Sequence, residues 1–177
     1  MTPHFTFDDG NPSDIWAAEQ LARFNLKGIF FLNRHPDSAY QVESLLKLGM
    51  IVGNHTENHL RIAGASAQQI VDDVLPWNEQ LKAWGASGEY FSYPFSSGRH
   101  SLIDNTFKYI YRGTVKPQSF EGELARITVT NKTPEEVKGY LLPLQLHGIE
   151  TGNWTDISRP FFLELCELES KKMYAPA

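Results

Sequence analysis

The sequence predicts an α/β protein in which a small parallel barrel makes up one domain. Three observations carry this expectation. Short apolar runs alternate with longer amphipathic segments, the pattern of parallel strands joined by crossover helices. Seven strand-like runs can be counted, which suits closure into a barrel better than an open sheet. The chain has 177 residues and no internal repeat, low-complexity stretch or linker, enough for one well-buried core and short for two, so residues 1–177 read as one domain.

The elements follow in order. PHFTF (3–7) is the first strand. SDIWAAEQLARFN (13–25) is a helix, with Ser13 in the N-cap position and Ile15, Ala18, Leu21 and Ala22 on one face. KGIFFLN (27–33) is a strand, SAYQVESLLKLG (38–49) a helix stopped by Gly49, and MIVGN (50–54) a strand. The segment from Ser66 to Trp84 is helical and should break or kink near Pro76, which lacks a backbone donor and crowds the preceding turn. EYFSYPF (89–95) reads as a strand, SLIDNTFKYI (101–110) as a helix, and YRGTV (111–115) and ARITVT (125–130) as strands. TPEEVKGYLL (133–142) has Thr133 as cap and Pro134 at the first helical position. LPLQLHG (142–148) is the last strand and SRPFFLELCELESKK (158–172) the closing helix.

Composition removes several functional classes. The net charge is −5 and Lys and Arg are nowhere clustered, so a phosphate backbone finds no electrostatic footprint and nucleic acid is not an expected partner. No apolar run approaches the roughly 18 residues a membrane span needs. The single cysteine, Cys166, excludes an intramolecular disulfide and reads as a small buried hydrophobe on the last helix. The start MTPHFTF shows no secretory signal, which leaves a cytoplasmic protein or a mature exported domain.

Polar residues gather where strands end. TFDDG (6–10) closes the first strand with Asp8 and Asp9; GNHTENH (53–59) sets His55 and His59 after the third; LQLHG (144–148) places His147 after the last. Parallel α/β folds bind ligands at the carboxyl ends of their strands. Successive strand residues point to opposite faces, so Asp8 and Asp9 serve one site only if the strand ends between them, and Gly10 permits the sharp turn this needs. His55 and His59 are spaced as one helical turn, which would set both rings on one side. Two imidazoles and one carboxylate with open positions form the ligand set of a catalytic zinc-type site. Each motif alone has a plainer origin: a solvated Asp-Gly turn, a chance pair of surface histidines, a satisfied core histidine.

TFDDG, GNHTENH, FSYPFSSG and LQLHG, in this order and at these separations, resemble the polysaccharide deacetylases of carbohydrate esterase family 4, the NodB-homology domain. The resemblance runs from Thr6 to Gly148. It implies a distorted (β/α)7 barrel, a divalent metal, usually zinc, and hydrolysis of acetyl groups from N-acetylated sugars, so that acetylated carbohydrate is the expected partner. By match to the motifs, Asp8 would be the general base, Asp9, His55 and His59 the metal ligands, and His147 the general acid. The backbone amide of Phe95, which follows Pro94, would be the oxyanion donor. Pro94 would meet the substrate; Trp154, in the loop ETGNWTD, reads either as an apolar wall against the acetyl methyl or a sugar face or as a surface tryptophan packed on its own loop.

The third motif departs from the family. The arginine usual two residues before its proline, which holds the catalytic base, is Ser92 here, as in a YPF variant branch where a later arginine takes that role. Arg126 is the candidate; a plain strand-end cation is its other reading. The usual Asp and Trp of the fourth motif are not recognisable. Two further functions share the scaffold: an O-acetyl esterase or cyclic amide hydrolase, and a carbohydrate-binding relative without catalysis.

Overall fold

Strand and helix alternate through β1 (Phe5–Phe7), α1 (Asp14–Arg23), β2 (Gly28–Leu32), α2 (Ser38–Lys47), β3 (Ile51–Asn54), α3 (Ala67–Ala83) and β4 (Tyr90–Ser92). A 3₁₀ turn (Pro94–Ser96), α4 (Ser101–Thr106), β5 (Tyr109–Thr114), β6 (Leu124–Thr128), β7 (Leu144–Leu146) and α5 (Arg159–Met173) complete the chain. The structure, a computed structural model, describes residues 4–114, 118–129, 136–137, 142–152 and 155–173. All seven strands are parallel and pair in sequence order, and β1 closes on β7 through Phe5–Leu144, Thr6–Gln145 and Phe7–Leu146. The expected parallel α/β barrel is therefore present. No helix among the described residues is long and apolar enough to cross a membrane.

Alternation along each strand separates two environments. Phe5, Phe7 and Phe30 face outward into the main core, where Phe7 stacks on Phe30 at 4.5 Å and Phe162 of α5 meets Phe5 and Phe7 edge-on. Phe31 and Tyr111 belong instead to a small cluster with Ile29, and the guanidinium of Arg126 lies 5.2 Å and 5.8 Å from their ring centres. A polar layer above this cluster sits at the carboxyl end of the barrel. Cys166 is fully buried on α5, and burial pushes its thiol up to about 12, in keeping with a packing role.

Several boundaries differ from expectation. α3 runs unbroken through Pro76, because Ile70 and Val74 before it and Trp77 and Leu81 after it share one buried face, and the Trp77 indole donates to Leu32 O at 2.7 Å. A Ser66–Gln69 capping box secures its start. Ser13 makes no side-chain cap; its hydroxyl accepts the Ile149 N–H at 3.0 Å instead, tying α1 to the segment after β7. The helix from Ser101 stops at Thr106, and Tyr109 and Ile110 join β5, since cross-strand pairing with Tyr90 and Phe91 outweighs helical continuation. β6 begins at Leu124, which puts Arg126 inside the strand rather than at its start. The helix expected over 133–142 falls largely outside the described residues, Glu136 and Val137 being helical within it.

Candidate active site

β1 ends at Phe7, yet Asp8 still donates its N–H to Leu146 O at 2.9 Å, so the first carboxylate is anchored to the barrel wall. The chain then reverses at once: Asp9 and Gly10 both take left-handed φ, +78° and +64°. Such a φ costs an aspartate less than most residues. It brings Asp9 beside Asp8 where a continuing strand would have sent it away. Asn11 locks the turn, donating from Nδ2 to Asp8 O at 3.2 Å and His147 O at 3.1 Å.

His55 and His59 converge by a different route from the helical turn expected. The segment after β3 is irregular, with left-handed Thr56 and His59, and the rings lie 5.1 Å apart. Side chains absorb its backbone donors. Asn54 Oδ1 accepts Thr56 N–H at 2.7 Å, Thr56 Oγ1 accepts Leu60 N–H at 2.7 Å, and Asp73 of α3 accepts Glu57 N–H at 2.7 Å.

His55 Nε2 and His59 Nε2 lie 3.4 and 3.3 Å from Asp9 Oδ1, and one donor atom from each residue falls within 4.8 Å of the others. This oxygen is buried without a hydrogen-bond partner. His55 Nδ1 sits 2.8 Å from the Ser92 carbonyl, which can only accept, so Nδ1 carries a proton and Nε2 is the nitrogen turned to Asp9. An orphaned carboxylate oxygen between two imidazole nitrogens fits a divalent cation. Burial pushes His55 down, but the carboxylates of Asp8 and Asp9 outweigh it and raise its pKa; burial and then the charge of His55 lower that of His59.

Asp8 is enclosed by donors. Arg126 Nη1 reaches Oδ1 at 2.7 Å and Nη2 reaches Oδ2 at 2.8 Å, while Gln145 Nε2 donates to Oδ2 at 2.7 Å. The guanidinium also bonds Thr6 Oγ1 at 3.0 Å and Ser92 Oγ at 2.6 Å. Burial pushes the Asp8 carboxyl up, but the Arg126 guanidinium, with His55, outweighs burial and holds it well below the usual carboxylate range.

Gln145 and Thr6 take part without standing out in the sequence, and Ser92 joins them as a partner of the Arg126 guanidinium. The one available signal was an amide alternating with leucines in LQL. Gln145 is oriented by Thr128 Oγ1, which donates to its Oε1 at 2.7 Å. Its amide passes over Gly113, where a Cβ would lie 1.9 Å from Oε1, so a side chain there would displace it.

The remaining candidates lie around this centre. Pro94 is buried, and Phe95, 53% exposed as a residue, has φ +56°, with its ring 4.4 Å from the His59 ring and under the Arg61 guanidinium at 4.2 Å. His147 is half-buried one residue past β7, with Nδ1 lacking a hydrogen-bond partner. Trp154 lies outside the described residues. Beside Asp9 and His59, a cavity of about 380 Å³ is lined also by Asn33, Arg34, His35 and Asn58.

A family model described as polysaccharide deacetylase matches residues 2–114, the part of the chain carrying TFDDG, GNHTENH and FSYPFSSG. The chain belongs to the polysaccharide deacetylase family. A peptidoglycan-N-acetylglucosamine deacetylase of Bacillus cereus is 31% identical over an alignment of 87 residues that covers 45% of this deacetylase-family chain and 39% of that protein. The match thus spans well under half the length of that relative. Among solved structures, the Xyl-CE4 domain of a multidomain xylanase from the hindgut metagenome of Trinervitermes trinervoides superposes with TM-score 0.70 at 19% identity, over 97% of this chain and 83% of that one. A family 4 carbohydrate esterase from Streptomyces lividans gives TM-score 0.67 at 14% identity, over 96% and 88%. These two likenesses establish the barrel.

Proposed function

We propose that this family member is a metal-dependent hydrolase that removes N-acetyl groups from an amino-sugar glycan or glycoconjugate. The observation that carries the reading is the position of Asp8 Oδ2, 3.8 Å from His55 Nε2, beside a convergent Asp9–His55–His59 donor set. Asp9, His55 and His59 would hold a divalent cation, zinc foremost. When bound, such an ion supplies Lewis acidity to an attacking water and to the acetyl carbonyl.

The chain's own groups do the rest. Asp8, kept ionised and in one rotamer by Arg126 and Gln145, accepts the proton of the attacking water at Oδ2. The backbone N–H of Phe95 donates to the oxygen of the tetrahedral intermediate, and a backbone donor suits this because it needs no reorganisation. His147 as imidazolium gives a proton to the departing amine, without which an amide does not part. The half-exposed Phe95 ring, flanked by His59 and Arg61, offers an apolar edge to a sugar, with Pro94 at the start of the turn and Trp154 assigned to the same role.

The test is an assay of N-acetylhexosamine oligomers, lipid-linked N-acetyl sugars and O-acetyl xylan, each with and without added divalent metal. Acetate and free amine should appear in equal amounts, only with metal. Acetate from O-acetyl xylan alone would favour the esterase, and sugar binding without any acetate the non-catalytic relative.

A further inference from the structure

Phe95 and Ser96 occupy the left-handed region consecutively, at φ +56° and +49°, a conformation that persists in non-glycine residues only when the surroundings impose it. The turn's own bonds are few: Ser96 N–H to Tyr93 O at 3.1 Å and Ser97 N–H to Pro94 O at 3.3 Å. Arg112, on β5, provides more. Its Nη1 donates to Ser96 O at 2.7 Å and its Nη2 to Gly98 O at 2.5 Å, while its guanidinium lies 4.4 Å over the Tyr93 ring. The other edge of the fork is taken by Glu123, which accepts from Nε and, at 2.9 Å, from Nη2. The neighbouring Gly113 N–H donates to Ser96 Oγ at 3.0 Å. The two charged side chains are only 10% and 3% exposed, so this ion pair and its carbonyl bonds are shielded from competing water.

We infer that Arg112, oriented by Glu123, is a positioning residue for acetyl cleavage: it fixes the 95–98 turn so that the Phe95 N–H stays aimed where the oxyanion develops. One guanidinium grips Tyr93 before Phe95 and Ser96 and Gly98 after it, so the peptide between Pro94 and Phe95 is held from both sides. A donor stabilises developing charge fully only if it is already in place when the charge forms. No other side chain type offers both the flat face and the fork this arrangement uses; an ammonium cannot bond Glu123 and two carbonyls in one plane while stacking on a ring. The inference rests on the Phe95 amide being the oxyanion donor of the proposed function.

Arg112→Lys and Glu123→Gln, purified with metal, test it through three readouts: hydrogen exchange over residues 93–98, steady-state turnover of an N-acetyl sugar, and inhibition by the matching methylphosphonamidate, a mimic of the tetrahedral intermediate. Arg112→Lys should speed exchange in that segment about tenfold with α1 and α2 unchanged, and lower kcat by roughly ten- to a hundred-fold with KM nearly constant, as expected when a donor is displaced slightly. Affinity for the phosphonamidate should fall by the same factor as kcat/KM. Glu123→Gln should move all three in the same direction by less, and it carries the test if Arg112→Lys does not fold. Unchanged exchange, unchanged kcat in folded protein, or a rise in KM alone would overturn the inference. Wild-type protein that releases no acetate from any acetylated sugar would overturn the functional reading and the inference with it, a failure distinguished from the others because it appears before any substitution is made.

Discussion

Arg126 and Asp8 form a bidentate ion pair across the barrel, with bonds of 2.7 and 2.8 Å between a fully buried guanidinium and a carboxylate 1% exposed. They are 118 positions apart in sequence and meet because β7 lies between β6 and β1 in the closed sheet. Ser92 lies beside the pair, and its small side chain bonds the incoming guanidinium at 2.6 Å.

Replacing one partner should therefore be costly twice over. Arg126→Ala leaves Asp8 buried without its cation, and thermal or urea unfolding should show a loss of about 3–5 kcal/mol. In folded protein, turnover should drop on the order of ten- to a hundred-fold, with metal content retained. Arg126→Lys should restore part of both, since an ammonium keeps the charge and loses the fork. Full activity in Arg126→Ala would remove it from the mechanism.

Asp14 offers a separate check through pH. It is buried at the start of α1, with Oδ1 unpartnered and Oδ2 accepting from Gln41 at 3.2 Å. Burial, then the charge of Asp9, raises its pKa well above the ordinary carboxylate value. A folded-state pKa raised in this way contributes stability that is complete below the unfolded value, about 3.9, and is lost as pH rises through the folded value. Asp14→Asn should accordingly raise the melting temperature at pH 8 and give no gain near pH 4. An equal shift at both pH values would contradict a protonated Asp14.

How much of this was visible in the sequence depends on the range of the interaction. The strand–helix alternation announced the barrel because parallel strands buried on both sides leave continuous apolar runs. The Asp8–Asp9 pair and the His55–His59 pair were local patterns at strand ends and could be found by spacing, although the histidines meet through left-handed backbone at Thr56 and His59 and not through a helical turn. Ser92 stood out only as a departure from a motif, and Thr6, Thr128 and Gln145 were not legible, since each is a short polar residue among apolar neighbours and acquires its partner only when the barrel closes. Pro76 misled because the propensity of one residue was weighed against an apolar face that continues on both sides of it.

The Phe95 ring should act on binding more than on chemistry. Phe95→Ala keeps the backbone amide and removes the half-exposed ring beside His59 and Arg61, so KM for a sugar oligomer is expected to rise by more than kcat falls, by roughly ten-fold for a lost aromatic contact worth about 1 kcal/mol or somewhat more. A fall in kcat at constant KM would instead place the ring in the reacting geometry.

Metal should bind only the folded arrangement of Asp9, His55 and His59. About one divalent ion per chain is expected by elemental analysis, and stripping it with a chelator should lower the melting temperature, with recovery on adding zinc. Full occupancy in a His55→Ala, His59→Ala double variant would sink this assignment.

The division of labour between adjacent carboxylates is the centre of the account, and one paired measurement reads it directly: metal content and acetate release from an N-acetylhexosamine oligomer, determined on the same samples of Asp8→Asn and Asp9→Ala. Asp8→Asn should keep its metal and lose nearly all acetate release, while Asp9→Ala should lose both. An Asp8→Asn protein that holds its metal and still releases acetate at the wild-type rate would contradict the assignment of Asp8 as the base.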